Sequence, residues 1–170
     1  MHQSTYFFAG GGDCQTMLFK NNAKDIKPKL LLKKNIILDC VAERKEDAIV
    51  RAGQMLYDSG YVTHRYIDGM LAREKKLSTC IGNSIAIPHG ESEVKKEIIS
   101  SGVVVMVYPQ GIVWDMETVF LVVGIAGVGD EHLEILRNIV EKLDTTQAVQ
   151  ALVQSGDVDR IYDLFSGCDI

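Results

Sequence analysis

The chain has 170 residues, 46% of them hydrophobic and 24% charged, with a net charge of −5. That is enough apolar content for one packed domain, and it excludes a disordered tail or a disulfide scaffold. The acidic balance argues against a nucleic-acid binder, no apolar run approaches the ~20 residues of a membrane span, and no secretory signal pattern opens the chain.

Residues 1–29 carry the triple glycine Gly10 to Gly12 and show no sustained period of two or 3.6. They read as a loosely ordered N-terminal extension with no assigned chemistry, His2 included, and residues 30–170 as the domain. Regular structure is expected from Leu30, with a short strand at 35–38. A helix follows over 46–58, with Ile49, Ala52 and Leu56 at helical spacing and Gly60 placed to end it. A second helix is predicted from an N-cap at Thr63 to Arg73-Glu74, with Ile67, Met70 and Leu71 on one face. His64 reads as a surface residue.

Further strands are predicted at 84–87, stopped by Pro88, at 102–108 before a turn at Pro109-Gln110-Gly111, and at 119–126. Asp130 is a candidate N-cap for a helix to about Leu143, and short helices are expected over 145–154 and 158–165 around Gly156. Strands and helices alternate, which predicts one α/β domain with a central sheet covered by helices. Cys14, Cys40, Cys80 and Cys168 contain no CxxC pair, so zinc and redox motifs are not indicated. They read as reduced thiols of a cytoplasmic protein.

Three residues carry candidate chemistry. His89 lies in Ile87-Pro-His-Gly90 directly after a strand, where proline and glycine hold an imidazole at a defined loop position. Sheet ends are where α/β folds place ligands, although a turn histidine without a role fits the same pattern. His132 shares a helical face with Leu136, Ile139 and Leu143 in a first turn that favours anions. A structural histidine bonded to a carbonyl is the alternative there. Arg73 is either a solvated helix-terminal cation or a guanidinium suited to phosphate oxygens.

Three near-motifs fail. Gly127-Val-Gly-Asp-Glu-His132 has a histidine where a dinucleotide fingerprint needs its third glycine. Gly82-Asn-Ser-Ile-Ala86 lacks the second glycine of a nucleophile elbow, and neither a Walker A sequence nor an HExxH pair is present.

The runs Met70-Leu-Ala-Arg-Glu74, Ile81-Gly-Asn-Ser-Ile-Ala-Ile-Pro-His-Gly90, Val123-Gly-Ile-Ala126 and Asp130-Glu-His-Leu133 resemble the IIA domain of the fructose–mannitol class of the bacterial sugar phosphotransferase system. The likeness covers roughly residues 30 to 166. The step from Arg73 to His89 is sixteen residues, and the later Glu-His pair adds specificity. Pro-His-Gly, Ser-Gly-Val-Val-Val and Tyr-Pro-Gln-Gly resemble the mannitol branch more than the fructose one.

The resemblance implies a mixed sheet with helices on both faces and a phosphorelay without metal, nucleotide or other cofactor. His89 would be the phosphorylated nucleophile, with His132 and Arg73 stabilising the phosphate. The donor would be HPr, charged from phosphoenolpyruvate through enzyme I, and the acceptor a cysteine on the IIB domain of a membrane sugar permease. No IIB segment is evident in this chain. A regulatory module like the nitrogen-related branch is one alternative. A small hydrolase using His89 and His132 with Asp130 or a metal is another.

Overall fold

The computed structural model describes residues 29–166. The expected N-terminal extension, His2, Cys14 and Cys168 fall outside the described residues. The elements run β1 (Leu31–Ile37), α1 (Lys45–Asp58), α2 (Tyr66–Lys76), β2 (Cys80–Gly82), β3 (Ile85–Ala86), a 3₁₀ turn (Ser92–Glu97), β4 (Gly102–Trp114), β5 (Glu117–Ala126), α3 (Glu131–Lys142), α4 (Thr146–Ser155) and α5 (Val158–Ser166).

The strands form one mixed sheet in the order β1-β4-β5-β3-β2. β1 is parallel to β4 and β3 to β5, whereas β4–β5 and β2–β3 are antiparallel. The run Val103 to Tyr108 is apolar throughout because both of its faces are covered. Val104, Met106 and Tyr108 pack with Ala52, Leu56 and Met70 of α1 and α2. Val103, Val105 and Val107 pack with Ile135, Ile139, Val149, Leu152, Ile161 and Phe165 of α3 to α5. The expected sheet covered on both faces is therefore the architecture found.

Local expectations were corrected at four places. The first strand starts at Leu31 rather than 35, because Leu31 pairs with Val103 and is buried beyond the exposed Lys33 and Lys34. The second helix starts at Tyr66, not after Thr63, and runs to Lys76. The Thr63 hydroxyl donates to Glu97 instead of capping.

Pro109-Gln-Gly111 does not reverse the chain. It is an irregular stretch inside β4, where pairing jumps from Val107–Leu121 to Ile112–Val119. Pro109 is exposed there, so its missing N–H costs no buried ladder bond. The chain reverses at Asp115-Met116 instead. The strand predicted at 84–87 is shorter, and Ser84 with Asn83 forms a positive-φ turn between β2 and β3.

Candidate active site

His89 is placed almost entirely by backbone bonds. The Ile87 N–H donates to the Thr79 carbonyl (2.9 Å), and the Ile125 N–H donates to the Pro88 carbonyl (3.1 Å). His89 itself makes a parallel bridge with Ile125 at the end of β5. On its other side the Gly90 N–H donates to the Tyr66 hydroxyl (2.9 Å), which donates to the Ile125 carbonyl (3.0 Å). Position 90 must be glycine: a Cβ there would lie 2.4 Å from Cε2 of Tyr66 and 2.7 Å from Val94.

The His89 ring lies with Nδ1 2.8 Å from the Ile87 carbonyl. A carbonyl only accepts, so Nδ1 carries the proton and donates, and Nε2 keeps its lone pair. Burial pushes the His89 pKa below its ordinary value, opposed by the bond to Ile87; Arg73 lowers it further and Glu74 raises it. The ring is neutral at pH 7.

His132 sits in the first turn of α3, its ring centroid 5.0 Å from that of His89 and tilted by 58°. Gly127 allows the close approach, since a Cβ at that position would lie 2.4 Å from Cα of His132. The Ser101 hydroxyl accepts from the Val128 N–H (2.9 Å) and donates to Glu131, tying the glycine-rich turn and the helix start together. Burial, then the neighbouring His89, Lys95 and Arg73, push the His132 pKa down to about 4. A neutral ring retains one N–H to donate and resists protonation beside other cations.

Ile139 and Leu143 are buried and Leu136 is partly so, as the helical count predicted. Asp130 occupies the N-cap position, but its side chain makes no capping bond. Its carbonyl accepts from Leu133 and Glu134 instead.

Arg73 stands near the C-terminus of α2, half-buried, with Nη1 donating to the Leu77 carbonyl (2.6 Å). Its charge adds to burial in lowering the pKa of both histidines. The fold thus brings the two histidines singled out from the sequence together as neutral imidazoles, with the Arg73 guanidinium near enough for its charge to act on each. That set can hold a tetrahedral anion with one ring nitrogen free to bond it. Among the described residues, no three His, Cys, Asp or Glu side chains are grouped to hold a metal.

Two participants escaped sequence reasoning. Tyr66 is 1% exposed, its phenol pKa raised to about 12 by burial, and it clamps the His89 loop to β5. Glu74 is 6% exposed, a buried carboxylate that accepts from Thr79, Trp114 and Lys45. Tyr66 looks like an ordinary member of an apolar helix face. Glu74 had one available signal: its place beside Arg73 and ahead of the hydroxyl pair Ser78-Thr79.

A family model described as phosphoenolpyruvate-dependent sugar phosphotransferase system, EIIA 2, matches residues 29–168. The mannitol-specific phosphotransferase enzyme IIA component of Staphylococcus aureus (strain Mu50) is 41% identical over 135 residues, which span 79% of this chain and 94% of that protein. The PTS system mannitol-specific EIICBA component of Vibrio cholerae is 39% identical over 139 residues, spanning 80% of this chain and 21% of that longer protein.

Among solved structures, the Escherichia coli complex of enzyme IIAMtl with phosphorylated enzyme IIBMtl matches with a TM-score of 0.74 and 36% identity, over 79% of this chain and 95% of that one. The crystal structure of IIA mannitol from Escherichia coli gives a TM-score of 0.72 and 37% identity, over 78% and 96%. With a family model matching most of its length and relatives at this identity, the chain belongs to the EIIA 2 family of the phosphoenolpyruvate-dependent sugar phosphotransferase system and is a IIA phosphotransferase component.

Proposed function

We propose that this chain carries a phosphoryl group on Nε2 of His89 in the cytoplasm, taking it from HPr and passing it to a cysteine of a IIB domain for mannitol uptake. The observation that carries this reading is the facing pair of rings, His89 with Nδ1 committed to Ile87 and His132 5.0 Å away. The IIB partner and the sugar are supported by the mannitol-specific relatives, by the Escherichia coli IIA–IIB complex and by the longer EIICBA protein of Vibrio cholerae. Among the described residues, no helix is long and apolar enough to cross a membrane.

Phosphoryl transfer passes through a loose transition state with charge on the equatorial oxygens, so positioning and neutralisation supply most of the catalysis. The Nε2 lone pair of His89 forms the new P–N bond while the donor's P–N bond breaks and its electron pair returns to the donor ring. The proton on Nδ1 stays in its bond to Ile87. Arg73 and a ring N–H of His132 hold the equatorial oxygens. On delivery, a cysteine thiolate takes the phosphorus and His89 regains its lone pair.

The test is intact-mass measurement after incubation with phosphoenolpyruvate, enzyme I and HPr, followed by addition of a mannitol-type IIB domain. One acid-labile adduct, absent in His89→Ala and discharged by IIB, is expected. A folded protein that stays unmodified beside an active HPr control refutes the phosphocarrier reading. An adduct that IIB cannot discharge refutes the transport role.

A further inference from the structure

We propose that Glu74 is a positioning residue that sets both His89 and Arg73 for phosphoryl transfer by anchoring the 77–79 connector; this rests on the reading of His89 as phosphoryl acceptor. Glu74 lies near the C-terminus of α2, and its carboxylate gathers donors from three parts of the fold: the connector, β4 and α1. Oε2 accepts from the Thr79 N–H (2.8 Å) and from the Thr79 hydroxyl (2.6 Å). Oε1 accepts from Nε1 of the fully buried Trp114 (2.9 Å) on β4 and from Lys45 (3.3 Å) on α1. Asp115 completes the cluster, pairing with Lys45 and accepting from the Ser78 hydroxyl (2.8 Å).

Packing alone gives no reason for a carboxylate here, since apolar replacements of buried ionic clusters are commonly neutral or stabilising. What these bonds fix is a connector outside regular structure, whose own carbonyls reach the site. The Leu77 carbonyl accepts from Nη1 of Arg73 (2.6 Å). The Thr79 carbonyl accepts from the Ile87 N–H (2.9 Å), and the Ile87 carbonyl accepts from Nδ1 of His89 (2.8 Å). One carboxylate is therefore linked through the connector to the ring that would attack by three successive hydrogen bonds, and to the guanidinium by two. Shifting the connector would move both together, and small misplacements of reacting groups are costly in rate.

The experiment compares the full-length wild type with Glu74→Gln, Thr79→Val and Leu56→Ala. A glutamine amide turns an NH₂ group toward donors that the carboxylate satisfied. Two readouts are taken: the ¹⁵N shifts of the His89 imidazole, which report its tautomer, and the maximal transfer rate at saturating phospho-HPr.

Glu74→Gln is expected to mix the His89 tautomers and to lower the maximal rate about tenfold or more with little change in KM. Thr79→Val should move both readouts in the same direction by less. Leu56→Ala, buried on the same sheet face but outside the cluster, should lower the melting temperature and leave tautomer and maximal rate unchanged. A wild-type tautomer and rate in Glu74→Gln overturns the proposal; if that variant does not fold, the same result in Thr79→Val does so. Should the wild-type chain accept no phosphoryl group, the phosphocarrier reading fails, and the tautomer comparison alone still decides whether Glu74 positions His89.

Discussion

His89 and His132 face each other across 5.0 Å, yet the chain holds them by different means. His89 is part of the sheet margin, with main-chain bonds on both sides and a ring nitrogen bonded to the backbone two residues earlier. His132 rides on the first turn of a helix, and its place is set by the turn before it, through Gly127 and Ser101. The difference matches the division of labour that the proposed phosphocarrier role assigns to the two rings. A group that must attack needs one tautomer and one direction, which backbone bonds impose. A group that only donates to an oxygen needs the correct neighbourhood and a neutral ring, which a helix start and burial provide.

Several changes would break or sharpen this comparison. The largest effect is expected from His89→Ala, which should abolish phosphoryl acceptance in the mass assay while leaving the circular dichroism spectrum intact. Arg73→Ala should lower the transfer rate by about a hundredfold, the usual cost of removing one well-placed stabilising donor. Unchanged single-turnover kinetics would remove Arg73 from the site.

Gly90→Ala forces a methyl group against the Tyr66 ring, and should cost about 1–3 kcal/mol of stability and slow transfer together. A denaturant melt beside a rate measurement checks both. Loss of stability without loss of rate would show that the clamp on the His89 side is not needed for geometry.

The His132 side should instead reveal itself through pH. Its folded pKa of about 4 lies below the ordinary 6.5, so the unfolded ring binds a proton first as the solution is acidified. The stabilisation is thus present above about pH 6.5 and lost as pH falls toward 4. Its size is about 1 kcal/mol once solvent screening of a half-buried ring is allowed for. His89 contributes in the same direction, so His132→Phe should flatten part of the dependence of melting temperature on pH across that window.

The smallest effect is expected from Ser101→Ala. It removes the acceptor of the Val128 N–H and should cost about 1 kcal/mol with a modest loss of rate. A loss as large as that of Gly90→Ala would mean that the two histidines are held equally tightly.

Much of the fold was legible in advance because local pattern and tertiary role coincide. α1 and α3 to α5 were found within a residue or two because their apolar spacing and their glycine or threonine boundaries agree with what they bury. Gly156 adopts the left-handed conformation that ends α4, and Thr145 caps its start by accepting from Ala148. Thr63 misled because its hydroxyl is drawn to Glu97, a residue 34 positions away. Pro109-Gln-Gly111 misled because turn residues can equally be absorbed by a bulge once a partner strand continues alongside.

The site divides in the same way. His89, His132 and Arg73 stood out because residue type and flanking motif are properties of the chain itself, and the family resemblance rests on those same motifs. Glu74 and Tyr66 did not stand out, since a glutamate at a helix end and a tyrosine on an apolar face are ordinary in sequence. Only the folded chain brings Trp114 and Lys45 to the carboxylate, and Gly90 and Ile125 to the phenol. Sequence alone determined a central sheet covered by helices, the order of most elements and the three candidate groups, because these follow from local period and chemistry. Tertiary structure decided which ring nitrogen is free, why both rings stay neutral and what anchors the arginine, because burial and hydrogen bonds between distant residues exist only after the strands have paired.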